Sequence, residues 1–123
     1  MPCQLYFVGE TLRFDFVDVV TNQDFADLAA RVEALEFQCA VVPHRISDLG
    51  KTTGLNLGFP AIFAFTERRK TLRFRNAFKS AIVAPQTVHV GVARMFQTLN
   101  QHPQIAVEIF PDLASAQAWI AQP

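Results

Sequence analysis

"DLGKTTGLNLGF", residues 48–59, decides between two α/β architectures. Its Gly50-Lys51-Thr52 looks like the end of a nucleotide-binding phosphate loop. That loop needs a glycine five residues before the Gly-Lys pair, so that backbone N–H groups can wrap the phosphates. Position 45 here is arginine, and residues 45–48 read as strand. The next helix also starts about seven residues too late for Lys51 to stand in its first turn. The stretch therefore reads as a loop through Gly54 and Gly58, from a strand to a helix, with a solvated turn at Gly50-Lys51-Thr52 and no nucleotide site.

Upstream, "QLYFVGETLRFDFVDVV" (4–20) contains Leu12, Phe14 and Phe16 alternating with Arg13 and Asp15. That is the period of a half-buried strand. Gly9-Glu10 suits a tight hairpin whose first central residue takes positive φ, so the first two strands are expected to be antiparallel. Phe25, Leu28, Ala29, Val32 and Leu35 follow helical spacing over 21–37. Thr21 or Asn22 is placed to cap that helix, and Asp24 and Asp27 suit its positive end. "QCAVVPHRISDL" (38–49) reads as a third strand, with Pro43 at a bulge or an unpaired position.

Downstream, a helix is expected from Phe59 to Arg73, with Phe59, Ile62, Phe63 and Thr66 facing inward. "KSAIVAP" (79–85) reads as a strand buried on both faces. Residues 86–102 form the clearest helix, with a stripe of Val88, Val92, Met95, Phe96 and Leu99. Gly91 interrupts it at a cost of about 1 kcal/mol relative to alanine. "QIAVEIF" (104–110) is the last strand. Asp112 then caps a helix bearing Leu113, Ala116, Trp119 and Ile120. The order β-β-α-β-α-β-α-β-α indicates an α/β domain, parallel in its core with an antiparallel edge.

The 123 residues suffice for one domain, 1–123, with one core. Half are apolar and twelve are Phe, which excludes disorder. No apolar run reaches membrane-spanning length, and a cytoplasmic protein is expected. Cys3 and Cys39 have no CxxC partner and read as free thiols. Formal net charge is zero, which argues against general affinity for nucleic acid. The charge is uneven, however: six of the eleven cations lie between Arg68 and Lys79.

No catalytic constellation emerges. His44, His89 and His102 belong to different elements at no paired spacing, so no metal site is expected, and His89 reads as a hydrogen-bonded structural residue. Asp15 and Asp18 point to opposite faces of a strand. None of the serines lies in a Gly-x-Ser-x-Gly elbow. The cations Arg68, Arg69, Lys70, Arg73, Arg75 and Lys79 read first as an exposed helix end, where positive charge complements the dipole. Their functional alternative is a docking patch for an anionic partner or a peripheral contact with an anionic membrane surface, anchored by Phe74.

Three segments together carry a family resemblance. "ISDLGKTTGLNLGF" (46–59) places Asp-Leu before a loop and helix. "KSAIVAPQTVHVGVARMFQTL" (79–99) joins a strand ending in Ala-Pro to a helix carrying Gly-x-Ala-Arg-Met. "VEIFPDLASAQAWI" (107–120) couples a strand, an Asp cap and a helix ending in Ala-Trp-Ile. The series, over about residues 45–120, resembles the SpoIIAA-like branch of the STAS domains, relatives of anti-sigma-factor antagonists and of the cytoplasmic tails of sulfate transporters. That resemblance implies a mixed sheet of four or five strands opening with an antiparallel hairpin, and about four helices mainly on one face. It also implies a regulatory or interaction module without enzymatic activity or cofactor.

In the antagonists an Asp-Ser-Ser-Gly segment begins the helix after the Asp-Leu strand, and its second Ser is phosphorylated. The matching positions here are Asn56, Leu57, Gly58 and Phe59. Gly58 has no hydroxyl, so the resemblance implies a module without that switch. Asn56 is placed to cap the helix, and Gly54 and Gly58 allow close backbone approach. Candidate partner- or ligand-binding residues are thus Gly54, Asn56, Leu57, Gly58 and Phe59. A second function class is a small-molecule or lipid binder, with an apolar pocket enclosed by the sheet, the 57–73 helix and the 86–102 helix. Arg94 or the basic stretch would hold an anionic head group there. The Phe-rich hairpin, uncovered on one sheet face, leads us to expect a homodimer.

Overall fold

The Gly9-Glu10 turn sets the edge of the sheet. In a computed structural model describing residues 3–123, β1 (Cys3–Val8) and β2 (Thr11–Thr21) pair antiparallel, with Val8 opposite Thr11 and Gly9 at φ +60°. α1 (Asn22–Gln38), β3 (Arg45–Asn56), α2 (Phe59–Lys70), β4 (Phe78–Val83), α3 (Thr87–Leu99), β5 (Ile105–Phe110) and α4 (Leu113–Ala121) follow. The five strands lie in chain order, and β2 to β5 are parallel. The chain is thus α/β with a mixed sheet and an opening antiparallel hairpin, as expected.

Capping explains where the first and last helices start. Thr21 Oγ1 accepts from Asp24 N at 3.2 Å, and the Asp24 carboxylate accepts from Thr21 N at 2.9 Å, a reciprocal box at the start of α1. Asp112 Oδ1 accepts from Ser115 N at 2.7 Å and starts α4.

Strand alternation divides the side chains between two faces. Cys3, Leu5, Phe14, Phe16, Leu49 and Ile82 pack with Leu28 and Val32 of α1 and Ala93 of α3. Ile46, Ala81 and Val83 point the other way, onto Ala116, Leu113, Trp119 and Ile120 of α4. Three helices therefore cover one face and α4 the other. The hairpin phenylalanines Phe14 and Phe16 belong to the covered face. Opposite them lie Tyr6, Arg13 and Asp15, linked by the Tyr6 hydroxyl donating to Asp15 and by Arg13 bridging to Asp15 at 3.2 Å. Phe14 and Phe16 therefore do not supply the uncovered apolar surface expected of the hairpin, whose exposed large side chains include Tyr6, Phe7 and Val8.

β3 departs most from expectation. Residues 50–56 are strand, paired with Val17–Thr21 of β2. The pairing survives because β3 carries one extra residue at each of two register shifts, opposite Asp15–Val17 and opposite Asp18–Val19 of β2, with Asp18 at φ +54°. Thr52 Oγ1 donates to the Asp18 carbonyl and fastens the irregularity. The ladder takes up the backbone around Gly50-Lys51-Thr52, which is neither the turn expected nor a phosphate cradle. Conversely, residues 39–44 are not strand. Asn76 clamps that segment instead, accepting from Val42 N at 2.8 Å and donating to Val42 O at 3.0 Å, and Pro43 precedes β3.

Two helices also differ. α2 ends at Lys70, not Arg73, and its buried stripe is Ile62, Thr66 and Arg69. Phe59 and Phe63 point outward, 52% and 41% exposed. On α3 the buried positions are His89 and Ala93, while Val88 is 70% exposed. His89 is buried, but among the described residues its Nδ1 lacks the hydrogen-bond partner expected of it.

A methyl group built on Gly91 meets nothing within 4 Å. Gly91→Ala should therefore raise stability by about 0.4–1 kcal/mol, because the unfolded chain loses freedom and nothing clashes. Urea unfolding with an unchanged m-value checks this; a lower midpoint contradicts it.

Candidate functional site

Three charged side chains occupy inward positions on otherwise apolar stripes. Glu36 follows Leu28 and Val32 on α1, Arg69 follows Ile62 and Thr66 on α2, and Arg45 opens β3 on the helix-covered face. They are 3%, 6% and 4% exposed. Glu36 Oε2 accepts from Arg45 Nη1 at 2.6 Å and from Arg69 Nη2 at 2.8 Å, and Glu36 Oε1 accepts from Arg69 Nη1. Arg45 Nη2 also donates to the Pro43 carbonyl at 3.1 Å.

One carboxylate against two guanidiniums leaves a net charge of +1. Aromatic faces take up part of it: the Arg45 guanidinium lies 4.2 Å from the Phe78 ring centroid, and that of Arg69 4.8 Å from Phe74. Burial alone would raise the Glu36 carboxyl. Hydrogen bonds and charge from Arg69 and Arg45 outweigh it and hold the group below the usual carboxylate range. Burial pushes Arg45 down to about 10, against the pull of Glu36, so it stays cationic at neutral pH.

These residues close one end of a cavity. α2 packs against α1 and α3 rather than flat on the sheet. Between α2 and the sheet lies an apolar space of about 120 Å³. Its charged end is formed by Arg45 and Arg69, with Ser47, Ser80 and Asn100. Its other end is formed by Leu55, Leu57, Phe16, Phe25 and Val92. Leu55, Leu57, Phe25 and Val92 are only half-buried, which marks the mouth.

The residues predicted from the sequence divide around this cavity. Gly54 and Asn56 are the end of β3, and Asn56 pairs with Thr21 rather than capping α2. Gly58 itself holds the N-cap, without a side-chain hydrogen bond, and its N–H donates to Asn22 Oδ1 at 3.4 Å. Leu57 turns into the cavity, while Phe59 turns outward and stacks on Phe63 with centroids 5.4 Å apart. Arg94 is exposed on α3 and does not line the cavity.

The six clustered cations do not share a surface. Arg69 is buried on Glu36. Arg68 bridges to Glu33 at 2.9 Å and Lys70 to Glu67 at 2.7 Å. Arg73 donates to Leu72 O, and Arg75 to Cys39 O. Lys79 reaches the opposite side of the sheet, donating to Trp119 O and Gln122 O at the end of α4. The expected patch is thus largely a set of structural ties. Glu36 and Arg45 escaped the sequence reading altogether. The available signal was charges of opposite sign at core-facing positions of α1, β3 and α2.

No protein-family model matches the chain, and no curated protein matches it. Solved structures do resemble it. An uncharacterized protein of the DUF3478 family with a SpoIIAA-like fold, from Shewanella loihica PV-4, aligns at TM-score 0.62 and 16% identity, over 97% of this chain and 92% of that one. The anti-sigma factor antagonist SpoIIAA in its unphosphorylated form aligns at 0.61 and 12%, over 94% of both chains. The Bacillus cell fate determinant SpoIIAA in its phosphorylated form aligns at 0.58 and 15%, over 96% and 98%. The chain has a SpoIIAA-like fold.

The charge cluster makes a prediction in acid. Glu36 has a folded pKa below its unfolded value, so its stabilisation is fully present above the unfolded carboxylate pKa of about 4.3 and is lost as pH falls through the lower folded value. Glu36→Gln should remove that part of the acid sensitivity. At pH 7 it should cost about 3–5 kcal/mol, because two buried guanidiniums lose their counter-charge. Urea midpoints of both proteins between pH 3 and pH 7 test this; parallel curves contradict it.

Proposed function

We propose that the chain is a non-catalytic interaction module that presents the β3–α2 junction to a regulatory protein partner. The observation that carries the reading is the stacked, outward-facing pair Phe59–Phe63 at the start of α2, 52% and 41% exposed. Exposed aromatics rimmed by polar surface suit a protein contact. The fold likeness to an anti-sigma factor antagonist solved in phosphorylated and unphosphorylated forms supports a regulatory role.

Serine phosphorylation at this junction does not fit the chain. Gly58 offers no oxygen. Thr52 is buried and bonded to the Asp18 carbonyl. A phosphoryl group would bring close to two negative charges beside the exposed Phe59–Phe63 pair. We read the contact as permanently uncharged. A second reading, a binder of small apolar molecules, is favoured by the cavity beneath α2.

A photo-crosslinking residue placed in cells at Phe63 should yield a discrete adduct that Phe59→Asp abolishes without changing the unfolding midpoint. The same probe at the exposed Glu108, on β5, should yield none. Equal adducts from both positions, or none from Phe63, contradict the proposal. Incubation with extract and ATP should leave Thr52 unmodified; stoichiometric phosphate on Thr53 that alters the adduct would show a displaced switch.

A further inference from the structure

Arg45 carries an unanswered donor. Its Nε has no hydrogen-bond partner among the described residues, although the side chain is only 5% exposed. A buried polar group left unpaired costs about 1–3 kcal/mol, and more when it is charged. Arg45 lines a cavity of about 120 Å³, far more than one water needs. An apolar cavity of about 150 Å³ takes up benzene. The space therefore suits an organic body, and its polar end presents a guanidinium edge with a spare positive charge.

We propose that this cavity binds a monocarboxylate with an apolar body, its head on Arg45 and its chain running under α2 toward Leu55 and Leu57. The inference rests on the second functional reading above and specifies the class of ligand. Three features select that class. The cluster of Glu36, Arg45 and Arg69 has a net charge of +1, which a single carboxylate neutralises and a dianion overshoots. The free donor belongs to a guanidinium, whose planar N–H edges match a carboxylate, and hydrogen bonds to ionised acceptors are the stronger kind. The remaining wall is phenylalanine, leucine, valine, isoleucine and alanine, with Ser47, Ser80 and Asn100 confined to the charged end. An alcohol of the same length fills the same space but leaves the charge unmatched. An amine meets like charge.

Arg45 can be removed without stranding a charge. Arg45→Met leaves Glu36 and Arg69 as a one-to-one pair and fills most of the vacated volume. This variant is expected to fold, and its urea midpoint verifies that. Ala29, half-buried on α1, also lines the cavity, away from the charges, so Ala29→Leu narrows the space and leaves the cluster intact.

The experiment is calorimetric titration of delipidated protein at pH 7 with pentanoate and with 1-pentanol, whose size matches a cavity slightly smaller than one that takes up benzene. Wild type should bind pentanoate at least tenfold more tightly than pentanol. Arg45→Met should reduce that ratio to under twofold while still binding pentanol. Ala29→Leu should weaken both ligands at least fivefold. Equal affinities in wild type overturn the carboxylate assignment and leave the apolar-binder reading standing. An unchanged ratio in Arg45→Met shows that the anion is held elsewhere, and overturns it. Undiminished binding to Ala29→Leu places the ligand outside the cavity. Failure of both ligands to bind wild type overturns this inference and the apolar-binder reading together.

Discussion

The Glu36 carboxylate, shared between Arg45 and Arg69, joins three elements of the helix-covered face through one side chain. It ties the last turn of α1 to the first residue of β3 and to the last turn of α2. α2 contributes Ile62 and Thr66 to the interior but packs mainly on its neighbouring helices. Its position over the sheet therefore depends strongly on Arg69. Charges buried in this way are costly to desolvate, and attraction offsets the cost only where geometry and hydrogen bonding are good. Here the carboxylate is fully engaged, and the guanidiniums stack on Phe78 and Phe74. The remaining imbalance, one positive charge and one free N–H, is concentrated on Arg45.

From that anchor the other features of the helix-covered face follow. Holding α2 at its C-terminal end lets it stand off the strands, and the space beneath it becomes the apolar cavity. At the opposite end of α2 the chain arrives from β3, carried to Asn56 through two extra residues that β3 holds against β2. Leu57 drops into the cavity mouth, Gly58 takes the helix cap, and Phe59 emerges on the surface. The interior site and the exposed aromatic pair are thus separated by a single turn of chain.

Much of this was legible in the sequence. Alternation in 12–16, the Gly9-Glu10 turn, the cap at Thr21 and the stripe ending in Trp119-Ile120 each reflect local chemistry, and the structure agrees with each. The misreadings have a common physical origin. Gly50, Gly54 and the polar residues between them look like a loop because strand propensity there is weak, yet tertiary pairing with Val17–Thr21 overrides it. Residues 39–43 look like strand because they are apolar, yet a single side chain, Asn76, claims the backbone of Val42. The basic run looks like a surface because charges usually are one. Arg69 and Lys79 are exceptions whose partners, Glu36 and the end of α4, lie more than thirty residues away. Charge at a core-facing position was the visible clue, and its meaning required the partner elements to be placed.

The central claim is that Glu36 and Arg69 act as a unit that positions α2. A double-mutant cycle with Glu36→Gln and Arg69→Met, measured by urea unfolding at pH 7, tests it most directly. The account predicts that removing both costs far less than the sum of the single losses, with a coupling energy of about 2–3 kcal/mol, the upper part of the range for contacting residues. Additive losses, with coupling near zero, would mean that the two side chains are buried side by side without sustaining each other, and would contradict it.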